Sequence, residues 1–278
     1  MTADTRKSRP GFLYASLRVF DLSLGEMLWS RRTVFMGLVV GLPVILALIV
    51  RVVTGMAGPM RMRNVALGGP EIFGMMMWIL YLRFSIPVLG VFYGTSLIAD
   101  EVEDKTITYL FSQPIPRGAV LFGKYLAYLA CTIFVVLPSV VIAWLLIIPM
   151  GGSLGENFID LVKDLGILAI GLAVYGAVFA YVGAALKRPL VFGLVFAFGV
   201  ENTLLAVPGY LKHFTVAYYL RGLVPQAMPS DSAASLLQAL FSETPTLGES
   251  LVWMTIMEVG FLWLAARAVS NREYVLEQ

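Results

Sequence analysis

Residues 165–208 read LGILAIGLAVYGAVFAYVGAAL, then KRP, then LVFGLVFAFGVENTLLAVP: two apolar runs, Leu165 to Leu186 and Leu190 to Pro208, divided only by Lys187, Arg188 and Pro189. A hydrocarbon core about 30 Å thick is crossed by about 20 residues at a rise of 1.5 Å each, provided that every backbone polar group is bonded inside its own helix. Each run has the length of one crossing. The link between them is short enough to make the pair a tight antiparallel hairpin in a bilayer.

Working outward, four further runs have the same character: Val34 to Val53, Trp78 to Ala99 with a start as early as Ile72, Tyr125 to Pro149, and Leu251 to Val269. The whole chain of 278 residues is 59% apolar and 14% charged, far from the balance of soluble domains. The expectation is an all-α integral membrane protein with six transmembrane helices, one domain over 34–269 with spans at about 34–53, 78–99, 125–149, 165–186, 190–208 and 251–269. Residues 1–33 precede it as a cytoplasmic N-terminus and interfacial helix, and 270–278 follow it as a cytoplasmic tail. The first run begins after Arg31 and Arg32 and is too long for a cleaved signal peptide, so it is expected to remain in place.

Orientation follows from the distribution of basic residues, because Lys and Arg in short loops are retained on the cytoplasmic side. Thirteen of the 20 lie on one side (Arg6, Lys7, Arg9, Arg18, Arg31, Arg32, Lys105, Arg117, Lys124, Lys187, Arg188, Arg267 and Arg272). Six lie on the other (Arg51, Arg61, Arg63, Lys163, Lys212 and Arg221), and Arg83 falls within a run. Both termini are thereby expected in the cytoplasm. The net charge of +2 is too slight to suggest nucleic acid.

Before the first run, Leu13, Leu17, Phe20, Leu24 and Leu28 recur at helical spacing with Arg18, Asp21, Glu26 and Arg31 mostly elsewhere on the wheel. This predicts an amphipathic helix lying in the membrane surface and ending with Trp29 at headgroup depth. Residues 232–243 read as a second surface helix.

The stretch after the second run, Asp100 to Leu129, reads DEVEDKTITYLFSQPIPRGAVLFGKYLAYL. Asp100, Glu101, Glu103 and Asp104 carry a membrane helix into water, Pro114 and Pro116 forbid its continuation, and Arg117 to Lys124 restart a helix into the third run. The result is a stiff helical elbow over 100–124, projecting from the membrane between spans 2 and 3.

Within the elbow, Gly118 to Tyr125 nearly matches a phosphate-binding loop. Tyr125 stands where a small hydroxyl must reach magnesium, and Val120, Leu121 and Phe122 crowd what should be a tight backbone cradle, so this is not read as a nucleotide site. The lone Cys131 and the lone His213 supply neither a disulfide framework nor a metal cluster. They read as core packing and as an interfacial loop residue. Arg83, Glu201 and Glu258 fall within or near apolar runs, where a central charge costs about 3 kcal/mol on insertion scales. Two readings stand side by side for them: structural pairs, with Asn202 as a partner, or groups lining a transport path. Gly171, Gly176, Ala180 and Gly183 give the fourth run a small face suited to close helix approach.

At the elbow the chain resembles the permease subunits of ABC-2 type transporters. They share an acidic stretch (Glu101, Glu103), a threonine (Thr106), a Leu-containing segment at Leu110, the turn Ser112-Gln113-Pro114-Ile115-Pro116-Arg117, and Gly123-Lys124. Lys105 stands where many members have glycine before the threonine. The resemblance implies that the elbow, through Glu101, Glu103, Asp104, Lys105, Thr106, Pro114, Pro116, Arg117 and Lys124, seats in a cleft of a separate cytoplasmic ATPase that binds ATP and magnesium. It further implies no cofactor or catalytic residue in this chain, two copies of the ATPase, a second permease chain, identical or similar, and a multi-pass location in a bacterial inner membrane. Export is the function it implies. A non-transporting membrane anchor would carry the same elbow. An ATP-independent carrier would show related halves with broken helices, and no such symmetry is legible.

Overall fold

The structure is a computed structural model that describes residues 11–29, 31–58, 61–62, 65–66, 68–103, 116–206, 210–223 and 245–271. Helix α1 (Phe12–Leu28) leads into α2 (Arg31–Ala57). After a hairpin of two-residue strands, Arg61–Met62 paired antiparallel with Val65–Ala66, the apolar column α3 runs over Gly69–Glu101, and its helix continues to Glu103. Then come α4 (Arg117–Ile147), α5 (Phe158–Ala185), the short α6 (Pro189–Leu205), a 3₁₀ turn (Tyr210–Phe214), α7 (Val216–Leu223) and α8 (Leu247–Asn271).

Five of these, α2, α3, α4, α5 and α8, are long and apolar enough to cross a membrane. Five of the six predicted spans are recovered, each with an earlier start: the second starts at Gly69 and not at Trp78, and the third is one helix with the last part of the elbow. Gly118 to Tyr125 is therefore helix throughout. The fifth predicted run is helical but short. It opens with Pro at its first position, contains a π-helical stretch at Val195–Val200, and its last turn carries Glu201 and Asn202. Column α3 has two further π stretches, Met77–Ser85 and Gly90–Gly94, with Pro87 between them.

Helix α5 is the centre of the bundle, and its small residues explain why. A methyl group on Gly176 would meet the Tyr128 ring of α4, one on Gly183 would lie 2.3 Å from the Thr95 carbonyl oxygen of α3, and one on Gly171 would reach Ile86 and Leu220. Close approach lets polar groups find backbone partners across helices: the Tyr128 hydroxyl donates to Leu172 O at 2.9 Å. In α3, Gly90 and Gly94 return the favourable fit by admitting Tyr175 and Phe179.

The first helix departs from expectation in its packing. Ala15, Ser16, Val19 and Ser23 form the buried face, whereas Leu13 and Leu17 are 71% and 57% exposed. Gly123 is the reason: its missing side chain lets the α1 backbone pass so near that a Cβ there would sit 2.5 Å from Ser16 O. Small residues thus join α1 to α4, and Leu13 and Leu17 point away from the bundle while Leu24 packs against its core. Trp29, at the end of α1, is almost fully exposed.

Candidate functional site

Two sets of polar side chains lie where the sequence places its candidates. The first is at the elbow end. Lys124, 8% exposed, forms an ion pair with Glu101. Because Glu101 ends the apolar column α3 and Lys124 lies two turns into α4, the pair ties together the two helices on either side of residues 104–115. Arg117 donates from Nη1 to Ser270 O at 3.1 Å, joining the start of α4 to the end of α8. Gly123 and Lys124 thus share one job: glycine admits α1, and the adjacent lysine clasps α3. Glu103 is helical and Pro116 directly precedes α4. Asp104, Lys105, Thr106 and Pro114, like the surface helix expected at 232–243, lie outside the described residues.

The second set is within the bundle. Glu201 is 2% exposed and accepts two hydrogen bonds, from the Tyr175 hydroxyl at 2.7 Å and from the Ala217 backbone N–H at 2.8 Å. The second bond makes Glu201 a cap delivered from another helix. Thr215, just before α7, turns its hydroxyl to Lys212 O, so the orphan donors of the first turn are left for a carboxylate, and a negative group suits a helix N-terminus. Glu201 follows directly on the π stretch of α6. Such stretches rotate the residues after them relative to a regular helix, and here the rotation separates neighbours: Glu201 faces inward to Tyr175, while Asn202 accepts from Arg83 Nη2 at 2.5 Å. Arg83 is exposed on the bundle surface. The intramembrane pairing is therefore Arg83 with Asn202 and Glu201 with Tyr175, and both Arg83 and Glu201 adjoin or occupy π segments.

Glu258 on α8 is half-buried, with Oε1 at 3.0 Å from the Tyr125 hydroxyl, which also lies 2.9 Å from Ala173 O. One hydroxyl proton thus serves α5 or α8 in turn. Tyr125 and Tyr175 are the residues that sequence reasoning missed. The signal was present, since a phenol inside hydrocarbon requires a partner for its hydroxyl, but the partner lies on a distant helix. Cys131 is buried, and His213 sits among the rings of Tyr210, Tyr218 and Tyr219. Among the described residues no three His, Cys, Asp or Glu side chains cluster as for a metal.

Substitution at Glu201 separates charge from hydrogen bonding. Glu201→Gln keeps an oxygen for Ala217 and offers its amide N–H to Tyr175, so its melting temperature in detergent stays close to wild type. Glu201→Ala orphans a buried hydroxyl and a helix donor, at about 1–3 kcal/mol each, and melts clearly lower. Equal melting of the two variants would remove Glu201 from its capping role.

Residues 17–264 match the family model of the ABC-2 family transporter proteins. No curated protein matches the chain.

Proposed function

The chain belongs to the ABC-2 family of transporter proteins, and on that premise we propose that it is the membrane permease of an exporter powered by a separate cytoplasmic ATPase. The observation that carries this reading is the clasp at the base of the elbow. A projecting element transmits force only if its stems are fixed to the spans that must move. Glu101–Lys124 fixes stem to stem, and the α1–α4 contact at Gly123 braces one of them. Closure of two ATPase subunits on ATP would then displace α3 and α4 together and, through the small face of α5, the rest of the bundle.

The outward stripe of α1, with Leu13 and Leu17, suits a seat in the cytoplasmic face of an inner membrane, with Trp29 at the headgroups. Residues 190–208, of which α6 is the described part, are read as the sixth crossing, which returns the C-terminus to the cytoplasm. Pairing with a second permease chain, identical or similar, gives the transport path its other wall, and Glu201, Asn202, Arg83 and Glu258 are the polar groups available to line it.

The test is purification of the tagged chain in mild detergent from its native cells, with mass spectrometry and an ATPase assay of the eluate. An ATPase subunit is expected with the wild type and absent with Glu103→Ala, Thr106→Ala and Arg117→Ala combined. A chain that brings no ATPase through several detergents would overturn the exporter reading. Glu201→Gln distinguishes an exporter from an anchor: it is expected to retain the ATPase while altering the compounds that untargeted mass spectrometry finds in the medium and the lipid extract.

A further inference from the structure

Arg83 lies near the middle of the apolar column that runs from Gly69 to Glu101, and its side chain is exposed on the bundle surface. At 1.5 Å per residue the nearer end of the column is about 20 Å away. A charge at such depth faces protein or water and not lipid, because hydrocarbon cannot solvate it. The guanidinium reaches across to α6, where Nη2 donates to Asn202 Oδ1 at 2.5 Å, and Asn202 in turn donates from Nδ2 to Phe198 O at 2.9 Å. Asn202 is thereby fixed with its acceptor toward the arginine, and as a neutral group it does not cancel the charge. Glu201, the adjacent residue, has both oxygens engaged elsewhere, by Tyr175 and by the Ala217 N–H. Among the described residues Arg83 forms no ion pair.

The surface around the guanidinium is apolar. Ile79, one helical turn before Arg83, is exposed, as are Phe84 and Phe198, whose ring centroids lie 6.5 Å apart across α3 and α6. The exposed large side chains of α8, among them Leu251, Val252, Ile256 and Val259, are apolar as well, but no charge stands among them, as suits a face left to lipid. The α3–α6 face differs from it by one oriented cation. A guanidinium offers several donors in a planar fork that matches a carboxylate or phosphate, and Asn202 takes up only one of its nitrogens. The geometry points to Arg83 as the group that recognises an anionic amphiphile: its carboxylate or phosphate meets the guanidinium, and its chain lies against Phe84 and Phe198. This rests on the exporter reading and gives it a substrate class. A small inorganic anion would match the charge but makes no use of the apolar flanks.

The experiment uses the full-length chain in nanodiscs of phosphatidylcholine, with dodecyl phosphate as probe and with dodecanol and inorganic phosphate as its two halves, read by thermal melting and by calorimetric titration. Dodecyl phosphate should raise the melting temperature, and neither half should do so at the same concentration. Arg83→Gln should weaken dodecyl phosphate binding by about tenfold or more, the worth of a hydrogen bond to a charged group. Arg188→Gln, at an exposed basic residue of the α5–α6 turn, should retain it. Asn202→Asp serves where Arg83→Gln does not fold: it keeps an oxygen for Arg83, gives up only the bond to Phe198 O, and supplies a counter-charge, so it should fold and yet lose the probe. The measurement needs no ATPase. Failure to bind beside a co-purifying ATPase therefore overturns the substrate class alone, and an absent ATPase overturns the exporter reading while a positive titration still places an anion site at Arg83. A dodecyl phosphate response no greater than that of dodecanol, an equal response to inorganic phosphate, or binding unchanged in both Arg83→Gln and Asn202→Asp would overturn the proposal.

Discussion

Lys124→Ala is expected to leave the permease and its ATPase assembled but to uncouple them. Loss of the ammonium removes an ion-pair partner of Glu101, whose side chain is 20% exposed. The cost is about 2 kcal/mol, less than for a fully enclosed pair because the Glu101 carboxylate keeps some contact with water. The larger effect is mechanical. On the exporter reading, with the two stems no longer joined the elbow would still seat in the ATPase, but its displacement would be taken up by relative motion of α3 and α4. Spin labels at Met56 and Phe158, both exposed and both at the end remote from the elbow, report this directly. In the wild-type complex ATP should change their separation. In Lys124→Ala the change should be lost while ATP is still hydrolysed. Exchanging the partners, Glu101→Lys with Lys124→Glu, recreates the pair in reverse and should restore the change. An undiminished ATP response in Lys124→Ala would reduce the clasp to a structural contact.

The second large effect is a reversal of sign along one helix. Gly166 and Gly183 both lie in α5, and replacing glycine by alanine in a helix gains about 1 kcal/mol from backbone entropy. At Gly166 nothing lies within 4 Å of the added methyl, so Gly166→Ala should raise the melting temperature. At Gly183 the methyl would lie 2.3 Å from the Thr95 carbonyl oxygen. Backbone cannot swing aside as a flexible side chain does, so α3 and α5 must separate. Overpacking of this kind costs about 1–3 kcal/mol and exceeds the entropic gain. Gly183→Ala should therefore melt lower than wild type, and it should also weaken ATP-driven coupling, because α3 reaches α5 at this contact. Melting curves of the two variants side by side test the packing, and a stabilising Gly183→Ala would contradict the close approach.

Much of this architecture is legible without coordinates. The long apolar runs of α2, α3, α4, α5 and α8, the helical period before Arg31 and the restart at Arg117 are properties of consecutive residues, and a local pattern suffices to read them. The candidates fared differently. Lys124 was singled out for docking to a partner, yet its side chain turns inward to Glu101 across 23 residues of sequence. Arg83, Glu201 and Asn202 were named together, but their pairing divides as Arg83 with Asn202 and Glu201 with Tyr175, because the π stretch in α6 points adjacent residues in different directions. No short-range pattern announces that stretch.

By itself, then, the sequence determined that a bilayer is the solvent and where the long helices run, since hydrocarbon requires each backbone group to be bonded within its own segment. Only the tertiary structure decided which face of α1 is buried, what caps α7, and that Arg83 is met by Asn202 and not by Glu201. Those outcomes depend on which helices meet and how closely. That distance is fixed by Gly123, Gly176 and Gly183 acting across the bundle, and it cannot be read from any one stretch of the chain.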